Sequence, residues 1–314
     1  RQALAAGAGV DAADAEGNTP LHAAIVAGSV PAVRILLEAG ADPNRECPGS
    51  HPPLPLAAKL DSSALRWIAG IKADAEEDIF VPMISLLVAH GADVPRWGPE
   101  TATWAVTNMS VPILTALDQA GLDWSASWPG EATSPPMVDG LLSQALLCGV
   151  TTPEVVKFLI GHGADPNRTD GGRPLLSLFL ARGADIDVKA LDAFLAAGPS
   201  VDATDANGVT ALMNAAGRNG GGRVEALERL LVAGADPARR DVLGRTAADW
   251  AAAASVGPAL EVFRRHGMAA APLLRRSVDG LACPAHGMKP GAFFVLASAG
   301  QPRVYGWIGA AEST

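Results

Sequence analysis

Six histidines, three cysteines and one run of carboxylates are the residues of this 314-residue chain whose types could do chemistry. Cys283 and His286 stand three apart in "CPAH", a spacing that suits a shared metal ion or a shared proton. A closed metal site needs about four ligands. No second Cys or His pair lies close by, so this stretch reads as a turn around Pro284 and Gly287, and no metal is expected. His51, in "GSHPPLP", has neither a Cys nor a carboxylate near it in sequence. The carboxylates of "DAEED" (74–78) lack the alternating ligands and the glycine of a calcium loop, and read as a solvated charge run. "RNGGGR" (218–223) lacks the Lys and Ser/Thr of a phosphate-binding loop, and reads as a flexible loop. No nucleophile elbow, zinc-protease motif or dinucleotide fingerprint occurs. No catalytic residue and no cofactor is expected, and the chain does not read as an enzyme.

The other four histidines are explained by the elements that carry them. A short apolar helix closing on glycine recurs along the chain, at Gly9, Gly40, Gly91, Gly121, Gly163, Gly198, Gly234 and Gly267. Their spacings are 31, 51, 30, 42, 35, 36 and 33 residues. Residues 16–44, "EGNTPLHAAIVAGSVPAVRILLEAGADPN", show one unit in full. Thr19 can cap a helix start, Pro20 fits the first helical position, and Leu21 opens a buried face that stops at Gly28. Val33, Leu36 and Leu37 give a second helix one apolar face, and Gly40 supplies the left-handed turn that ends it. Two such helices bury too little alone, so neighbouring units must stack. His90, His162 and His266 each precede a helix-ending glycine, a position favourable to the helix dipole.

Thr19-Pro20-Leu21-His22-x-Ala24 and the unit length resemble the ankyrin-repeat family. The close match is residues 11–44, with looser ones at 208–237 and 244–267. "GGRPLLSLFLARG" (171–183) keeps the frame, with Arg173 and Leu176 at the Thr and His positions. The resemblance covers residues 1–267. It implies an all-α solenoid of about seven helix-pair repeats plus an N-terminal partial one, with hairpin fingers and a concave binding face. It makes His22 the signature histidine, bracing loop backbone instead of doing chemistry. Residues 268–314 lie outside the repeat as a small extension. There "GAFFVLASAGQPRVYGWIG" (291–309) reads as a hairpin around Gly-Gln-Pro, packing on or capping the last repeats.

The net charge of −9 disfavours phosphate backbones, so nucleic acid is excluded and a partner with a basic surface is expected. No apolar run is long enough for a membrane span. Three widely spaced cysteines (Cys47, Cys148, Cys283) read as free thiols in a reducing, cytoplasmic setting. A monomer is expected. The Ala-, Gly- and Pro-rich composition points to a GC-rich bacterial genome.

The strongest functional signal is irregularity. The 51- and 42-residue spacings exceed the common unit, with extra residues expected within 59–80 and 123–137. Five of seven tryptophans fall in this middle third. Trp97, Trp124 and Trp128 read as finger residues, Trp67 lies in the first insertion, and Trp104 on a helix leans to the core. Trp97, Trp124, Trp128 and Trp67 are therefore the candidate partner-binding residues. The function expected is a protein-interaction scaffold, one form of which is a stoichiometric inhibitor or immunity protein. The alternative is a targeting arm of a larger enzyme or effector. A small-ligand receptor using the tryptophans as an aromatic pocket is a third reading.

Overall fold

The computed structural model of the protein describes residues 7, 9–61, 79–127, 136–147, 151–181, 185–218, 220–267, 273–276, 292–298 and 301–308. They divide into two compact units, residues 1–168 and 169–314. Among the described residues the first holds four helix pairs: α1 (Pro20–Val26) with α2 (Val30–Glu38), α3 (Pro53–Leu60) with α4 (Phe80–Ala89), α5 (Val94–Thr107) with α6 (Val111–Gln119), and α7 (Met137–Leu147) with α8 (Pro153–Gly161). Within it the first helices stack in one row, α1–α3–α5–α7, and the second helices in another, α2–α4–α6–α8. The second unit continues the pattern with α9 (Leu175–Leu180), α10 (Val188–Leu195), α11 (Ala211–Ala216), α12 (Arg223–Val232), α13 (Ala247–Ala253) and α14 (Gly257–Arg265). Here α11 packs between α9 and α13, and α12 between α10 and α14.

The repeat glycines explain where the second helices stop. Gly40, Gly91, Gly121, Gly163, Gly198, Gly234 and Gly267 all have positive φ, the conformation that closes a helix at little cost only for glycine. Gly9, expected to be the first of them, does not share this conformation, whereas Gly7 does (φ 87°). Core positions follow the helical period: Val33 and Leu37 on α2, Ile113, Leu114 and Leu117 on α6, Ala226, Leu227 and Leu230 on α12. Each such stripe is fully buried only because a neighbouring pair covers it.

Aspartates tie the turns together. The Asp42 amide donates to Asp11 Oδ1 at 3.1 Å, and the Asp236 amide to Asp202 Oδ1 at 2.9 Å. Thr210 and Thr246 cap their helices through side-chain oxygens, Thr246 in a reciprocal box with Asp249. Thr19 does not: its Oγ1 bonds His22 Nδ1 at 2.9 Å, so the expected cap is diverted to the imidazole.

Strands are few. β1 (Thr169–Asp170) and β2 (Arg173–Pro174) form a two-residue hairpin. Toward the C-terminus β3 (Leu273–Arg276), β4 (Ala292–Ser298) and β5 (Gln301–Ile308) make an antiparallel sheet in the order β3-β4-β5. The expected hairpin is β4–β5, closed at the Ser298–Gln301 pair and interrupted between Phe294 and Val295. Its third strand was not expected. Among the described residues no helix is long and apolar enough to cross a membrane.

Candidate functional site

Sequence reading placed "DVPRWGPE" in a finger, but it forms the first two turns of α5, the longest described helix at 14 residues. Asp93 begins it by accepting from the Arg96 amide at 3.1 Å, and Pro95 sits in the first turn, where no amide is needed. The third repeat thus presents a helix where the repeats headed by Asp14, Asp205 and Asp241 present a hairpin.

One face of α5 carries Trp97, Glu100 and Trp104, three to four residues apart, with Arg96 beside Trp97. Trp97 is half-buried, with the Arg96 guanidinium 4.5 Å from its ring centroid. Its indole Nε1 is buried and meets no hydrogen-bond acceptor among the described residues. Arg96 in turn pairs with Glu46 at 2.5 Å, with both side chains more than half exposed. Such a pair contributes little stability on its own.

The same face holds a short polar relay. His51 Nδ1 lies 2.6 Å from Glu100 Oε1, and Lys59 Nζ lies 2.9 Å from His51 Nε2. The tautomer that satisfies both has Nδ1–H donating to the carboxylate and Nε2 accepting from the ammonium. Glu100 is the companion His51 lacked in sequence; it stands 49 residues away along the chain and is brought in by the packing of α3 on α5. Trp104 meets the His51 ring edge-on at 5.7 Å, with Lys59 Nζ 5.2 Å from the indole. It is half-buried, where a core position was expected, because Lys59 and His51 flank it. Both imidazole nitrogens are occupied, so the relay orients side chains and has no nitrogen left for a substrate proton.

Trp124 was expected on a finger. It does lie outside the helices but is only 6% exposed. Its Nε1 donates to Asp118 at 2.9 Å, and its ring packs edge-on against Phe158 at 5.3 Å and beside His162 at 5.3 Å. His162 also reaches Asp118, at 3.0 Å, and bonds the Phe158 carbonyl through Nδ1 at 2.7 Å. This cluster joins α6 to α8, so Trp124 is a packing residue and offers no open face to a partner. Trp67 and Trp128 lie outside the described residues, as do "DAEED", Cys148, Cys283 and His286. Among the described residues no group of three or more His, Cys, Asp or Glu side chains is placed to hold a metal ion.

His22 is 1% exposed, between Thr19 and the Cys47 sulfur, which lies 3.4 Å from Nε2. Burial, partly offset by a hydrogen bond to the His51 backbone, holds its pKa below the ordinary value. A depressed histidine pKa means that acid protonates the unfolded chain first. Stability is therefore full above about pH 6.5 and falls as pH drops below it, by at most about 1.4 kcal/mol per unit. Urea titrations at about pH 7.5 and 5.5 are expected to show this loss, and a smaller one in His22→Gln.

Charge is unevenly placed. Residues 1–168 carry 19 acidic and nine basic side chains, a net −10, whereas residues 169–267 carry 12 and 11. The half-exposed face of α5 therefore lies in the strongly acidic unit.

These repeats have recognisable relatives. The ankyrin repeat family model matches residues 16–47, and the model for three copies of the ankyrin repeat matches 141–241. Among solved structures the chain is similar to the crystal structure of the ankyrin repeat domain of Bcl-3, a member of the IkappaB protein family. That likeness has 25% identity and a TM-score of 0.53, covering 79% of this chain and 99% of the other. No curated protein matches the chain by sequence. Residues 16–47 and 141–241 are thus ankyrin repeats, in an all-α solenoid fold.

Proposed function

We propose that this ankyrin-repeat protein binds a partner protein through the α5 face of its third repeat, with Trp97 and Trp104 as aromatic anchors. Ankyrin repeats are protein-interaction modules, which supplies the class of function. The observation that carries the site is the replacement of one finger by a helix with two half-exposed tryptophans three to four residues either side of Glu100. Tryptophan and arginine are enriched among the residues that dominate binding energy. Held on a helix and braced by Lys59, His51 and Arg96, these rings are ordered before a partner arrives, which lowers the cost of association. The net −10 of this unit favours a basic partner surface, through faster encounter more than tighter contact.

A stoichiometric inhibitor or immunity protein is the form we favour, because such a surface acts by covering its target and needs no chemistry of its own. The chain is proposed to act as a monomer.

The test is affinity capture with the native chain and a Trp97→Ala, Trp104→Ala variant of equal thermal stability. A partner retained by the native chain is expected to bind the variant at least about 30-fold more weakly, the equivalent of about 2 kcal/mol. Equal retention by both forms would move the interface off α5. A partner enzyme blocked at one-to-one stoichiometry would support the inhibitor form, and one left fully active would exclude it.

A further inference from the structure

Three hairpins in the chain share one wiring. In each, an aspartate accepts at Oδ1 from the backbone two and four residues on, and its amide and carbonyl close the turn. They are centred on Asp14, Asp205 and Asp241, each followed by two variable residues and then Gly17, Gly208 or Gly244. The turn-closing backbone bonds are the same in all three, so the tips differ chiefly in their side chains. The two residues before the aspartate are Ala12-Ala13, Ala203-Thr204 and Arg239-Arg240, and the two after it are Ala15-Glu16, Ala206-Asn207 and Val242-Leu243. Two hairpins thus carry small or polar tips, whereas the third carries paired arginines and paired bulky apolar residues.

All four of these side chains belong to exposed residues, Val242 at 64% and Leu243 at 43%. The exposure is built in. The Asp241 carboxylate, 6% exposed, also accepts from Arg245 Nε at 2.8 Å and Trp250 Nε1 at 3.0 Å. The Val242 amide donates to the Asn207 carbonyl of the preceding hairpin at 2.9 Å. Arg240 is held over the turn by donating to the Gly244 carbonyl at 2.7 Å. Because Asp241 is turned inward and paired with Arg245, the open charge of the tip is that of Arg239 and Arg240. An isolated exposed apolar residue needs no explanation, but an adjacent pair on a braced turn, next to two cations, is a small preformed surface.

We propose that this finger, residues 239–243, docks an acidic, apolar segment of a partner protein, its carboxylates facing Arg239 and Arg240 and an apolar side chain covering Val242 and Leu243. Arginine forks suit carboxylates, and the braced turn adds little ordering cost on binding. This finger belongs to the second unit and the α5 face to the first, and the finger prefers the opposite charge.

The probe is a random-sequence peptide display library, panned on the full chain. Recovered peptides are expected to combine Asp or Glu with Leu, Ile or Phe, and to bind at least about tenfold more weakly when the tip is changed, the equivalent of about 1.4 kcal/mol. The tip variant is Arg239→Ala, Arg240→Thr, Val242→Ala, Leu243→Asn. It imports the residues of the Asp205 hairpin, whose wiring is the same, so it is expected to fold; coincident melting curves check this. Arg239→Glu with Arg240→Glu removes only the charge match and is expected to abolish binding of the most acidic peptides. Recovery of no acidic, apolar peptide, or unchanged binding to both variants, overturns the proposal. Tip-dependent binding to phosphatidylcholine–phosphatidylserine vesicles without peptide binding also overturns it, in favour of a membrane surface.

Discussion

Asp241→Ala is expected to lower the stability of the second unit by about 3 kcal/mol, more than loss of any surface ion pair would. One buried carboxylate joins two backbone amides, Arg245 Nε and Trp250 Nε1, all within 3.0 Å. Removing it leaves donors in a place water reaches poorly, and leaves the Arg245 cation over the Trp250 ring, 4.6 Å from its centroid, without its counter-charge. Asp241→Asn should be intermediate, because one amide oxygen can keep the backbone bonds while its NH2 cannot accept from Arg245 and Trp250. Urea denaturation followed by tryptophan fluorescence measures both. A change below about 0.5 kcal/mol for the alanine variant would show that the network does not hold the finger.

Gly222→Ala is expected to be similarly damaging, for a different reason. Gly222 starts α12 with φ at 71°, and a Cβ there would run into the Ile186 carbonyl oxygen and lie 3.2 Å from the Val188 side chain. The loop before it is pinned: Gly221 donates to Asp185 Oδ1 at 2.6 Å and accepts from the Ile186 amide at 3.0 Å. The loss should reach about 3 kcal/mol, combining left-handed strain with displacement of backbone. Gly234→Ala is the control, since Gly234 also has positive φ (92°) but open space around it. Its cost should stay near 1 kcal/mol, the strain alone. Equal effects at the two positions would mean that the contact with Ile186 relaxes freely.

The repeat was legible because its signals are local. A glycine ending an apolar helix is written in a few adjacent residues, and the second helix of each of the seven described pairs stops at one. What escaped depends on packing between units. "DVPRWGPE" has the Pro and Gly of a loop, yet α5 forms there because Asp93 caps it and both Val94 and Gly98 are buried. The partners of His51 are invisible at a distance of 49 residues in sequence, until α3 and α5 lie side by side. Trp124 looked like a finger residue, but Asp118, Phe158 and His162 draw it into the α6–α8 contact. "RNGGGR" read as flexible, whereas Asp185 and Ile186 hold Gly221 and Gly222 in place. The proposed docking face lies on one of these irregular places, which is why fold was easier to read than site.

The most direct test of the central claim is site-specific photocrosslinking in cells, with Glu100→p-benzoylphenylalanine on α5 and Arg264→p-benzoylphenylalanine on α14 as the comparison. If α5 is the docking face, the probe at 100 yields one dominant protein adduct, lost when Trp97 and Trp104 are replaced by alanine, and the probe at 264 does not. An adduct at 264 with none at 100, or one at 100 that persists without the tryptophans, would contradict it.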